Sequence, residues 1–127
     1  MKLTPKMNEL AKSDRRLFHA LEAANILEKL MMFYYKREYK IDWDSEESDP
    51  AASIKLEVDK KCDALARSYL TTVFDDASKW GFIGEESYDE SERRKEYYWC
   101  VDPICGSLAF QKKKRNFGTS IALFHKG

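Results

Sequence analysis

Two short apolar runs, Trp80-Gly81-Phe82-Ile83 and Tyr97-Tyr98-Trp99-Cys100-Val101, each end on a turn that carries carboxylates, and this constrains the chain more than any other feature. Runs of this length, rich in aromatic and β-branched residues and bounded by Gly and Pro, read as buried strands. The first delivers Gly84-Glu85-Glu86-Ser87 and the second Asp102-Pro103-Ile104-Cys105-Gly106-Ser107. Carboxylate oxygens at two strand ends suit a hard divalent cation such as Mg²⁺, which takes oxygen ligands and bridges readily to phosphate. The plainer alternative is that Asp102-Pro103 and Gly106 form only a tight turn and that Glu85 is solvated.

The rest of the chain supplies the layer that such strands need. Leu17, Leu21, Ala24, Leu27, Met31 and Tyr34 recur at helical spacing, and Ser13 or Asp14 can cap a first helix that runs to about Lys40. Residues Met1 to Lys12 read as a flexible N-terminal arm ahead of a single domain over 13–127. The acidic stretch Asp42 to Asp49, with Trp43 inside it, reads as a loop because its charges repel one another. Pro50 suits the first turn of a second helix, whose apolar stripe is Ile54, Val58, Cys62, Leu65, Tyr69 and Val73. A charged loop from Ser87 to Glu96 joins the two strands, and Gly118 to Phe124 makes a third. The expected fold is α+β, two long helices packed on a small antiparallel sheet.

The chain has 127 residues, one domain's worth, with 43% hydrophobic and 13% aromatic residues to build a core. Its 22 basic and 22 acidic side chains cancel, so no global field draws it to a membrane surface, and the balance argues against nucleic acid. No apolar run approaches the roughly 20 residues that cross a bilayer. The N-terminus is basic and polar without the apolar centre of a secretory signal. Cys62, Cys100 and Cys105 are odd in number and lack metal-pair or redox-pair spacing, so the cytoplasm is the default compartment.

Phe82-Ile83-Gly84-Glu85-Glu86-Ser87 followed by Trp99-Cys100-Val101-Asp102-Pro103-Ile104-Cys105-Gly106-Ser107 resembles the signature of the inositol monophosphatase-like family, G-E-E and then W-x-x-D-P-I-D-G-T/S. Members of that family are Mg²⁺-dependent, lithium-sensitive phosphatases. The resemblance extends from about Leu17 to the end: Asp59 sits where the family has a T-x-A-D segment, which would start the second helix nearer Asp59 than Pro50, and Phe117 to Leu123 is similar to the strand that follows the signature. It implies the N-terminal part of the family's fold. It also implies a first metal site formed by Glu85, Asp102 and the backbone carbonyl of Ile104. Ser107 would orient the attacking water with Glu85, and if a helical turn begins there the N–H groups of Gly106 and Ser107 would cradle a phosphate.

Two departures shape the expected function. Cys105 stands where the family has its second aspartate, and a thiol is a soft, poor substitute for a carboxylate on Mg²⁺. Family members are longer and contribute a further W-D-x-A/G aspartate, whereas this chain stops at His125-Lys126-Gly127, which reads as a hairpin turn. The resulting expectation is a degenerate or half-length relative, a pseudoenzyme that binds one Mg²⁺ weakly and a phosphorylated small molecule, or acts through protein contacts, without efficient turnover. An active Mg²⁺-dependent phosphomonoesterase completed by oligomerisation or by a separate second half is the alternative; a structural subunit of a larger assembly is another. Each implies a homo-oligomer or a partner chain, because an open sheet edge at Ile121-Ala122-Leu123 and the apolar Met31-Met32-Phe33 need cover.

Other residues carry plainer readings. No histidine lies near Cys105 in sequence to activate it as a nucleophile, His19 and His125 being distant. The run Lys112-Lys113-Lys114-Arg115 reads as a solvated loop before it reads as a phosphate-steering patch, and Tyr97, Tyr98 and Trp99 as core and face rather than a base-stacking platform.

Overall fold

The computed structural model describes residues 2–36, 50–106, 109–110, 112–114 and 116–126, with only the backbone for 50–56. The chain forms helices α1 (Pro5–Ser13), α2 (Arg15–Tyr35) and α3 (Pro50–Thr72) and strands β1 (Trp80–Gly84), β2 (Tyr97–Cys105) and β3 (Gly118–His125). The expected loop Asp42 to Asp49 and the helix end at Lys40 lie outside the described residues.

The arm expected through Lys12 contains a helix instead. Thr4 caps it by accepting a hydrogen bond from the Met7 amide at 3.3 Å, and Pro5 sits in the first turn, where its missing N–H costs nothing. Only Ala11 of α1 is buried, so periodicity alone offers no apolar face to find. Asp14 ends α1 and caps α2, its carboxylate accepting the Arg16 amide at 2.9 Å. Hydrogen bonds from Arg16 hold that carboxyl below its usual range.

The buried face of α2 is His19, Ala23, Leu27, Met31 and Tyr34. Leu17, Leu21 and Ala24, expected on it, are only half-buried, because the inward positions of the first turns are taken by a histidine and a small alanine. In α3, Val58, Cys62, Ala66 and Leu70 repeat every fourth residue and are buried, while Leu65 points outward. Two acidic residues, Asp59 and Asp63, share that buried side.

Strand order is β1-β2-β3. The pairing of β2 with β3 is antiparallel as expected, but β1 runs parallel to β2, so the sheet is mixed. The twelve residues between Gly84 and Tyr97 are about the minimum for a crossover between parallel strands and far more than a tight hairpin uses. They include a 3-10 turn, Glu90–Arg94, that lies close against β1: a Cβ on Gly81 would come within 2.5 Å of the Glu92 carbonyl oxygen.

Helices α2 and α3 cover one face of this sheet, where Trp80, Phe82, Trp99, Val101, Ile104 and Phe110 complete the core. Each such side chain, fully buried, contributes about 1.5–3 kcal/mol relative to exposure. Trp99 lies in this core, Tyr97 stacks between Trp80 and His125 at 4.4 Å from each ring, and Tyr98 stacks on Phe124 across the other face. Among the described residues no helix is long and apolar enough to cross a membrane.

Lys113 has a structural task within the basic run. With φ of 58° it turns its ammonium back onto the carbonyls that end α2, donating to Tyr34 O at 3.3 Å and to Tyr35 O, while the Tyr35 hydroxyl donates to the Lys113 carbonyl at 2.6 Å. A cation at a helix C-terminus is favourable, and burial lowers the lysine's pKa there. Lys112 and Lys114 are exposed, and Arg115 lies outside the described residues.

Candidate metal and phosphate site

The parallel pairing of β1 with β2 decides where the two turns meet. Its last rung joins Gly84 to Val101, so the next residue along one strand is Glu85 and along the other Asp102. Neighbouring strands lie about 4.8 Å apart, and the two carboxylates therefore start from adjacent backbone positions at one end of the sheet. Antiparallel pairing would have sent the two strand ends in opposite directions.

The first turn is held from beneath. Ser87 N donates to Gly84 O at 3.3 Å and Gly84 N to Ser87 O at 3.4 Å, leaving Glu85 and Glu86 exposed at the tip. Under the turn lies the Asp63 carboxylate, only 4% exposed. The Ser87 hydroxyl donates to its Oδ2 at 2.5 Å, and its Oδ1 packs so closely that a Cβ on Gly84 would sit 1.7 Å from it. Asp59 lies one helical turn earlier, fully buried. Between them, burial and then the charges of Asp59 and Asp63 push the Cys62 thiol up to about 12.

The second turn holds itself. Asp102 Oδ1 accepts the Ile104 amide at 3.2 Å, and Cys105 Sγ donates to Asp102 Oδ2 at 3.2 Å. The β2–β3 register slips between Asp102 and Cys105, where Pro103 and Ile104 stand against Thr119, whose hydroxyl donates to Pro103 O at 2.9 Å. Pro has no N–H for the ladder, so in a central strand it is tolerated at a bulge, and the bulge re-aims the side chains on either side of it. Gly106 follows with φ of +83°, where a Cβ would also come within 2.7 Å of the Asn116 carbonyl oxygen. Phe110 N donates to Gly106 O, which begins a short helical turn. Ser107 lies outside the described residues.

Burial, then the hydrogen bond to Asp102 and its charge, raise the Cys105 pKa, with Glu85 adding a smaller push in the same direction. The thiol is therefore a protonated donor near neutral pH rather than a thiolate nucleophile or ligand. Among the described residues no group of three or more His, Cys, Asp or Glu is placed to hold a metal ion. The hard donors at the site are Glu85 and Asp102, with the Ile104 carbonyl in the same segment. Among the described residues that set fits one Mg²⁺, an ion that binds through one or two carboxylates and keeps several waters; the protonated thiol adds nothing to it.

Asp63 is the residue that sequence reasoning missed. Its signal was available: two acidic residues four apart, each directly following a core residue of the apolar stripe, Val58 or Cys62. Ordinarily such positions are solvated flanks, and nothing local says that a strand end will close over them.

Solved structures share this arrangement of elements. The extragenic suppressor protein suhB from Bartonella henselae superposes with a TM-score of 0.70 at 20% identity, over 90% of this chain and 40% of its own. An IMPase from Thermotoga maritima gives 0.66 at 20% identity, over 90% and 41%. CysQ from Bacteroides thetaiotaomicron, a bacterial member of the inositol monophosphatase family, gives 0.63 at 22% identity, over 86% and 37%. The chain thus spans about two fifths of the length of these structures, and at such identities they show a shared fold alone. No curated protein matches it by sequence. The model of the inositol monophosphatase family matches residues 12–127, nearly the whole chain, and the chain belongs to that family.

Proposed function

We propose that this chain binds a phosphorylated small molecule through one weakly held Mg²⁺, with Glu85, Asp102 and the Ile104 carbonyl as its ligands, and does not turn it over efficiently on its own. The observation that carries this reading is the 3.2 Å contact from the Cys105 thiol to Asp102 Oδ2. A protonated thiol occupies the place where the family pattern has a second carboxylate, so a second ion lacks a hard ligand. A bound Mg²⁺ would neutralise phosphate charge and polarise a phosphoryl oxygen. The chain's own part is to present two carboxylates from adjacent strand ends. Gly106 would offer its backbone N–H to the phosphate, and by the family pattern the N–H and hydroxyl of Ser107 would join it, the hydroxyl orienting water with Glu85.

Isothermal calorimetry with Mg²⁺ or Mn²⁺ tests the ligands. Asp102→Asn should reduce binding far more than Cys105→Ser, since a carboxylate contributes charge and a thiol little to a hard ion. Identical titrations for wild type and Asp102→Asn would sink the reading. Hydrolysis of inositol phosphates, histidinol phosphate and nucleotide 3′-phosphates should stay near background. Robust lithium-sensitive hydrolysis would favour instead an active phosphomonoesterase completed by a second copy or a partner chain.

The same proposal includes association. Among the described residues β3 has β2 on one side and no strand on the other, whereas β1 has the Glu90–Arg94 turn against it. Phe33 and Phe124 are exposed, and a groove of about 630 Å³ between α2 and β3 is lined by Met31, Met32, Tyr35 and Phe117. Sedimentation across a concentration range, with Ile121→Lys as a probe, should show a wild-type oligomer that the variant weakens; a wild-type monomer at high concentration would refute it.

A further inference from the structure

We infer that Asp63 is a positioning residue for Glu85, fixing the Gly84–Ser87 turn from the helix side so that the exposed carboxylate is presented beside Asp102. A buried carboxylate is costly unless it is paired, and among the described residues no basic side chain forms an ion pair with Asp63. Its Oδ1 accepts no hydrogen bond, and its Oδ2 takes the Ser87 hydroxyl at 2.5 Å. An apolar side chain would serve the core better at this place. What the carboxylate does instead is reach across 24 positions of sequence to the residue that closes the turn, with Oδ1 lodged against the glycine that opens it. Both ends of the four-residue turn are thereby set by one rigid helical side chain, and Glu85 lies between them. Residues that orient metal ligands from behind matter to affinity nearly as much as the ligands. The inference rests on Glu85 being a metal ligand, and its test separates the two ideas.

The test follows amide hydrogen exchange by NMR together with Mn²⁺ titration, in Asp63→Asn, Ser87→Ala, the double variant, and Asp63→Asn on a Glu85→Gln background. Either single substitution should speed exchange at the Gly84 and Ser87 amides, leave Trp99 and Val101 in β2 protected, and weaken Mn²⁺ binding by about tenfold. The double variant should be no weaker than either single one, and Asp63→Asn should cost nothing more once Glu85 is Gln. Unchanged exchange in the turn, exchange rising equally in β2, or a loss of Mn²⁺ affinity that persists on the Glu85→Gln background would each overturn the positioning role. Wild-type protein that binds no Mn²⁺ would overturn the metal reading, while faster turn exchange would still uphold Asp63 as the group that orders the turn. Ser87→Ala removes a single hydroxyl, so it decides the question even where Asp63→Asn does not fold.

Discussion

The turn after β1 and the bulge in β2 both bring a strand to a carboxylate, yet they are held in opposite ways. Gly84–Ser87 depends on Asp63 from α3, remote in sequence. Asp102–Gly106 is held largely by its own neighbours: an amide two residues on, a thiol three residues on, and a glycine at positive φ, with Thr119 as the distant contact. A site built on one turn of each kind has one half whose shape is local and one half whose shape depends on the whole fold. Mutations should tell the two apart.

The largest effect should come from Gly84→Ala, because the new Cβ meets a buried carboxylate oxygen at 1.7 Å. Overpacking of this kind costs about 2–3 kcal/mol, read by urea denaturation. On an Asp63→Ala background the same substitution should cost far less, since the obstructing oxygen is gone. Equal costs on both backgrounds would show that the first turn does not lean on α3. Gly106→Ala should cost about 2 kcal/mol, through strain at φ of +83° and the approach of the new Cβ to the Asn116 carbonyl oxygen, and that cost should be indifferent to Asp63.

Cys105 offers a milder probe of the second turn. Asp102→Asn removes the charge and the charged acceptor that help hold the thiol proton, so the midpoint of the alkylation rate against pH should fall toward an ordinary thiol's. An unmoved midpoint would leave burial and the Glu85 charge as the causes.

The smallest effect is on the helix beneath. Exposed Cys100 should alkylate first, Cys105 more slowly, and buried Cys62 only on unfolding. The folded Cys62 value of about 12 lies above that of the unfolded thiol. Its contribution is therefore complete below the unfolded thiol's pKa and is lost as pH climbs toward the folded value. Alkaline denaturation profiles of wild type and Cys62→Ala should diverge only in that window, and divergence at neutral pH in the shape of the profile would break the assignment.

Much of the architecture could be read from the chain. Asp14 caps α2, α3 opens at Pro50, the earlier of the two starts that the chain allowed, and the three strands begin within a residue of where turn residues put them. Helix α1 escaped because its signals are a cap and a proline, Thr4 and Pro5, without an apolar stripe. The inward face of α2 was misjudged where His19 and Ala23 replace the large apolar residues that periodicity looks for.

What the sequence determined by itself is whatever rests on neighbours along the chain: helix caps, the turn from Asp102-Pro103 to Gly106, and carboxylates at two strand ends. Only the tertiary structure decided that β1 and β2 are parallel, which sets Glu85 beside Asp102, and that Asp63 lies under Gly84. The physical reason is range. A cap or a tight turn is specified by hydrogen bonds spanning a few residues, whereas strand direction and the burial of a helix side chain are chosen by packing the whole core, and no short stretch of sequence contains that choice.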